Sequence, residues 1–116
     1  MKALITGASS GIGRALAKEL SKKGYDLILV ARNLEKLEQV KSEIKTNVEI
    51  VSMDISNPEN CEQLHKKFKD IDILVNNAGF GDCGDFTNTK LEKEIKMIET
   101  NIIAYHVLTK LYLKDM

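Results

Sequence analysis

LITGASSGIG, residues 4–13, sets a short apolar run directly against a cluster of glycines. The apolar part, KALIT at residues 2–6, reads as a buried strand that ends at Gly7. A helix is predicted from Gly11, with Ile12, Ala15, Leu16 and Leu20 on one stripe. Lys22 and Lys23 fall in its last turn and Gly24 stops it. Glycines that follow a first strand and open a helix suit a phosphate-holding turn. The spacing is Gly7-x-x-x-Gly11-x-Gly13. Gly7 permits the tight turn, Gly11 lets the backbone approach a pyrophosphate, and Gly13 lets the helix pack closely on the strand. Backbone N–H groups at the helix start, with the positive end of its dipole, face the phosphates. The nucleotide-facing set at this turn is therefore Gly7, Ser9, Ser10, Gly11, Ile12 and Gly13. No Gly-Lys-Ser/Thr follows, which excludes a P-loop and points to a dinucleotide.

Outward from this turn, strands and helices alternate. Residues 26–31 (DLILVA) read as a second strand, and Leu34, Leu37, Val40 and Ile44 mark a second amphipathic helix. Residues 48–53 (VEIVSM) read as a third strand. Ser56, Asn57, Pro58 and Glu59 form a dense helix-start signal, after which Cys61, Leu64 and Phe68 carry the inner stripe. Residues 71–76 (IDILVN) read as a fourth strand, nearly apolar throughout, as expected when both faces are covered. A glycine-rich loop from Asn77 to about Asn88 precedes a last helix with Leu91, Ile95, Ile98 and Ile102 at 4-3-4 spacing. Right-handed crossovers between such units place helices on both faces of a parallel sheet. The expectation is one doubly wound α/β domain of Rossmann type over residues 1–116, with strand order 3-2-1-4.

The end of the second strand selects the dinucleotide. An NAD site places an acidic residue there, on the ribose 2′-hydroxyl. Here the corner reads Val30-Ala31-Arg32-Asn33, with no carboxylate, and Glu35 falls inside the next helix. The Arg32 guanidinium is suited to gripping a 2′-phosphate, with a hydroxyl from Ser9 or Ser10, so NADP is favoured over NAD. The alternative role for Arg32 is that of a solvated loop residue.

Composition excludes other classes. Seventeen basic residues balance seventeen acidic ones, and short clusters such as HKKFK read as solvated helix sides, so no nucleic-acid partner is expected. Cys61 and Cys83 lie far apart without a CxxC, which suggests two reduced thiols. His65 and His106 form no ligand pairs with them, so no metal site is expected. Nothing reaches the length of a membrane span, and residues 1–7 lack the long apolar stretch of a signal peptide. A cytoplasmic protein is expected.

Four segments together carry a resemblance. TGASSGIG (6–13), MDIS (53–56), NNAG (76–79) and TN (100–101) fall in the order and spacing of the short-chain dehydrogenases/reductases, which the chain resembles throughout. ILVARNLEKLE and NNAGFGDCGDF further look like an NADP-dependent subgroup acting on carbonyls or alcohols, and some relatives reduce 3-ketoacyl or steroid substrates. The resemblance implies that Asp54 contacts the adenine ring with Ile55 packed beside it, and that Asn77, Ala78 and Gly79 line the adenosine side. It also implies that Asn101 is the active-site asparagine, whose backbone orders a water in a proton relay. Each has a plainer alternative: Asp54 helps cap the next helix, Asn76 and Asn77 are strand-end turn residues, and Asn101 is a polar helix residue. A local kink at Asn101 is expected either way, since asparagine is a poor mid-helix residue.

The family's hydride chemistry rests on a tyrosine acid/base, a lysine four residues later, and a serine that orients the carbonyl. Tyr25, Tyr105 and Tyr112 are followed four positions later by Leu29, Thr109 and Met116, and Tyr105 and Lys110 are five apart. These residues thus supply a cofactor cradle and one relay residue without an acid/base. The expectation is a domain truncated before its Tyr-x-x-x-Lys segment and inactive alone. An unpaired fourth strand and a last helix apolar over much of its circumference fit that reading and suggest a homo-oligomer. The small-molecule partner would be a carbonyl or alcohol; Phe80 to Phe86 supply one rim of its pocket. A non-catalytic dinucleotide-binding module is the alternative; a methyltransferase fits the glycine spacing and NNAG badly.

Overall fold

The apolar run Ala3-Leu4-Ile5 makes Lys2–Thr6 the central strand β1, buried from Ala3 onward. Around it the computed structural model, which describes residues 1–9, 11–78 and 90–116, builds strands β2 (Asp26–Ala31), β3 (Val48–Ser52) and β4 (Ile73–Val75). The helices are α1 (Gly11–Lys22), α2 (Leu34–Ser42), α3 (Pro58–Lys67), α4 (Leu91–Ile98) and α5 (Ala104–Leu113). A π-helical turn, Glu99–Ile103, joins α4 to α5. Ser10, Gly79, Cys83 and the loop through Asn88, including Phe80 to Phe86, lie outside the described residues.

All strand pairs are parallel and the order is β3-β2-β1-β4, as expected from the alternation. Leu4, Ile28 and Val30 pack on one face with Ile55, Cys61, Leu64, Ala104, Leu108 and Tyr112 from the α3 and α5 side. Ala3, Ile5, Leu27 and Leu29 pack on the other with Ala17, Leu37 and Val40 of α1 and α2. Alternate residues of each central strand therefore feed opposite cores, which is why the strands read as continuous apolar runs.

Caps fall where their chemistry predicts. The Asn57 side chain accepts from the Glu59 N–H with Pro58 opening α3, and Asn33 accepts from the Lys36 N–H at α2. Cys61, Leu64 and Phe68 face inward, as predicted.

Two stripes differ from expectation. On α1 the buried residues are Gly13 and Ala17, whereas Ile12 is 70% exposed and Ala15 also faces out. The close approach of Gly13 to the β1 turn sets the rotation of the helix and turns Ile12 away. On α2 Leu37 and Val40 are buried while Leu34, in the first turn, is 48% exposed. Strand β4 is also shorter than predicted; Ile71 is buried but precedes it. No helix among the described residues is long and apolar enough to cross a membrane.

Candidate functional site

The strand order reverses beside β1: the chain runs outward through β2 and β3, then returns to place β4 on the other side. Such a reversal opens a crevice at the carboxyl ends of the strands. A cleft of about 800 Å³ lies there. Its walls come from all four strand ends: Gly7 and Ser9 after β1, Ala31 and Arg32 at β2, Met53 and Asp54 after β3, Asn77 and Ala78 after β4.

The glycines each meet a different demand. Gly7 and Gly11 have φ of +65° and +58°, the left-handed region that side chains avoid. A Cβ on Gly11 would meet only open space, so its requirement is conformational. A Cβ on Gly13 would stand 2.2 Å from the Gly7 carbonyl oxygen and 2.6 Å from Asn77 Nδ2. Gly13 is thus the contact point of α1 on the strand end. Ser9 lines the cleft; Gly11, Ile12 and Gly13 occupy the adjoining first turn of α1 rather than the wall.

Thr6 ties the two central strand ends together. Its buried hydroxyl donates to the Val75 carbonyl at 3.3 Å and accepts from the Asn77 and Ala78 N–H groups at 3.0 Å each. That is one donor and two acceptor sites, the full capacity of a hydroxyl. Asn77 Nδ2 adds a bond to the Gly7 carbonyl at 3.2 Å. The first glycine turn and the Asn77-Ala78 segment are thereby one hydrogen-bonded unit.

At β2 the basic side is larger than the sequence reading has it. Arg32 lines the cleft, its carbonyl held by the Ser52 hydroxyl at 2.9 Å. Lys36, from the first turn of α2, lines it as well. Glu35 is not among the described wall residues, so the charged wall residues that follow β2 are the cations Arg32 and Lys36. Nothing in the sequence singles out Lys36, because a helix lysine reads as solvated surface.

Asp54 lines the cleft, and its two carboxylate oxygens are engaged separately. Its Oδ1 accepts from the Ser56 N–H at 3.0 Å and the Ser56 hydroxyl at 2.7 Å, organising the turn ahead of α3. The cap of α3 itself is Asn57. The other oxygen, Oδ2, accepts from Lys96 Nζ of α4 at 2.5 Å. Partial burial pushes the carboxyl up, but the Lys96 ammonium and the Ser56 donors outweigh it and hold it at about 2. Ile55, 5% exposed, lines the cleft beside it and belongs to the core.

Asn101 lies within the π-helical turn, where the Ala104 N–H donates five residues back to the Glu99 carbonyl. The expected distortion is therefore present, in the form such insertions commonly take near functional sites. Thr100, buried, lines the cleft; Asn101 itself is not a wall residue. Burial pushes the hydroxyls of Tyr105 and Tyr112 up, the wrong direction for a tyrosinate base. Burial, reinforced by the field of Asp54, likewise raises the Cys61 thiol to about 11 and keeps it unreactive.

The chain matches the short chain dehydrogenase family over residues 1–116. It is 39% identical over 111 residues to an uncharacterized oxidoreductase of Staphylococcus epidermidis, covering 91% of this chain and 48% of that one. It is 38% identical over 113 residues to the 3-oxoacyl-(acyl-carrier-protein) reductase of Rickettsia prowazekii, covering 97% and 47%. Among solved structures, a metagenomic short-chain oxidoreductase in complex with NADP is similar with a TM-score of 0.90 and 31% identity. That match covers all of this chain and 56% of the other. The chain spans about half the length of the curated relatives it matches. A matching family over its whole length, a parallel sheet in the order 3-2-1-4 and a glycine turn at the reversal of that sheet agree, and the chain belongs to the short-chain dehydrogenase family.

Proposed function

We propose that these residues form the cofactor-binding portion of an NADP-dependent short-chain oxidoreductase that transfers hydride between NADP(H) and a carbonyl or alcohol. The observation that carries the reading is the β2 corner, where Arg32 and Lys36 line the cleft and Glu35 is not among its described wall residues. A 2′-phosphate is an anion that such a corner attracts, whereas a 2′-hydroxyl needs an acceptor there.

The residues present fit a dinucleotide. Gly7 and Gly11 hold the left-handed backbone that opens the start of α1, whose first N–H groups have no helical partners and suit a pyrophosphate. With Ser9 and Ile12 they make the phosphate subsite, to which Ser10 is assigned by sequence alone, and Gly13 seats the helix against the strand. Asp54, Ile55, Asn77, Ala78 and Gly79 make the adenosine side. NADP(H) supplies the hydride chemistry when bound. Asn101, held in the π-helical turn, serves as the relay residue. The tyrosine, lysine and serine that complete the chemistry would come from sequence outside these residues.

The exposed stripe of Leu91, Ile95, Ile98 and Ile102 supports a homo-oligomer built on α4. A cytoplasmic location fits the reduced state that its cysteines imply.

Titration of the protein with NADPH and NADH tests the reading. NADPH binds at least tenfold tighter, and Arg32→Ala weakens NADPH about tenfold while leaving NADH within twofold, the scale of one lost charge-assisted pair. Equal affinities, or equal losses for both cofactors, would reject the NADP assignment.

A further inference from the structure

The cleft has one feature that opposes an anionic ligand. Asp54 is the only carboxylate among its described wall residues, and it is held ionised. A bare negative charge beside a bound pyrophosphate and 2′-phosphate would repel both, over distances at which charges in a cleft still interact. The structure supplies the compensation from an element the glycine turn does not reach. Lys96 projects from α4 and its ammonium meets Asp54 Oδ2 at 2.5 Å. Helix α4 has no fully buried residue of its own, so this link to the end of β3 is not a by-product of core packing.

The geometry also leaves Asp54 usable. A carboxylate offers about four acceptor sites. Ser56 takes two on Oδ1 and Lys96 takes one on Oδ2, which leaves a single acceptor site for an N–H donor. An Asp54 so arranged accepts a hydrogen bond without presenting a net charge. Lys96 stands five residues before Asn101 along the same continuous helix, so the pair also ties the helix bearing the π-helical turn to the nucleotide cleft.

We propose that Lys96 is a positioning residue that neutralises Asp54 and thereby lets the cleft accept a phosphorylated nucleotide. It acts through Asp54 and does not itself touch the phosphates. The inference rests on the dinucleotide reading given above and extends it to a residue of α4 that reaches the cleft through Asp54.

The test compares a charged and an uncharged ligand of the same cleft, by NMR titration of the protein with 2′,5′-ADP and with adenosine. Lys96→Met weakens 2′,5′-ADP about five- to tenfold and adenosine less than twofold, and the gap narrows when salt is raised, because screening suppresses the repulsion. Lys96→Arg keeps both affinities near wild type. Asp54→Asn and the double variant Asp54→Asn/Lys96→Met bind 2′,5′-ADP within twofold of each other, since no charge remains to neutralise. Equal loss of both ligands in Lys96→Met would make Lys96 merely structural and overturn the proposal. A double variant clearly weaker than Asp54→Asn would make Lys96 a direct phosphate ligand and overturn it too. That comparison stays decisive if the unpaired Asp54 in Lys96→Met destabilises the fold. Wild-type protein that binds neither 2′,5′-ADP nor NADPH would remove the dinucleotide reading itself. Wild type that binds both, with Lys96→Met unchanged, would remove only the role of Lys96.

Discussion

Gly13 shows how a single missing Cβ decides both packing and site. Its nearest neighbour is backbone: a methyl group there would press on the Gly7 carbonyl at 2.2 Å, which cannot step aside without moving the turn. Gly11 is strained by a side chain only through its φ of +58°. Gly13→Ala is therefore expected to cost about 3 kcal/mol, by overpacking, and Gly11→Ala about 1–2 kcal/mol, by left-handed backbone strain. Urea denaturation of both variants checks the order; a Gly13→Ala no worse than Gly11→Ala would reject the close-approach account. The glycines were legible because their spacing sits directly behind an apolar strand. Thr6, Lys36 and Lys96 were not, since a threonine ending a strand and a lysine on a helix are common everywhere. Their roles exist only once the β4 end, the cleft wall and the Asp54 carboxylate have been brought beside them.

At the scale of elements, the link between α4 and the β3 end makes stability depend on acid. The Asp54 carboxyl is depressed from its ordinary 3.8 to about 2 in the folded chain. A depressed carboxyl contributes fully above its unfolded pKa and loses that contribution as pH falls through the folded value. The window is thus roughly pH 4 down to pH 2. The side chain is 36% exposed, so solvent screening reduces the contribution to about 1 kcal/mol. Urea denaturation at pH 5 and pH 2.5 should show the stability advantage of wild type over Asp54→Asn shrinking by about that amount on acidification. An advantage unchanged between the two pH values would mean that Lys96 and Ser56 do not hold the ionised form. Elements themselves were largely readable: continuous apolar runs could belong only to strands covered on both faces, and the Asn57-Pro58 signal marked the start of α3. The phase of α1 was not readable, because the stripe through Ile12 competes with one through Gly13 and Ala17. Periodicity alone cannot tell that the glycine is the residue pressed against the strand.

On the scale of the molecule, the last helical segment has two apolar faces with different fates. Thr100, Ala104, Leu108 and Tyr112 recur every fourth residue and are buried, with the Tyr112 hydroxyl bonded to the Leu64 carbonyl at 3.3 Å. Leu91, Ile95, Ile98 and Ile102, the stripe that the sequence made most prominent, are 67%, 47%, 47% and 62% exposed. Hydrophobic spacing identifies a face that wants cover but not whether the cover is this chain's own core. A contiguous apolar face of this kind is costly to leave in water and suits burial against another surface. If a second copy supplies that surface, Ile95→Lys/Ile102→Lys removes the association without touching the core, because neither side chain is buried within the chain. Light scattering on the eluting protein should then give a multiple of the chain mass for wild type and a single chain for the double variant. The melting curve of the variant should remain cooperative, since its sheet and both cores are intact. A wild type that elutes as a single chain at all concentrations would reject self-association through this face.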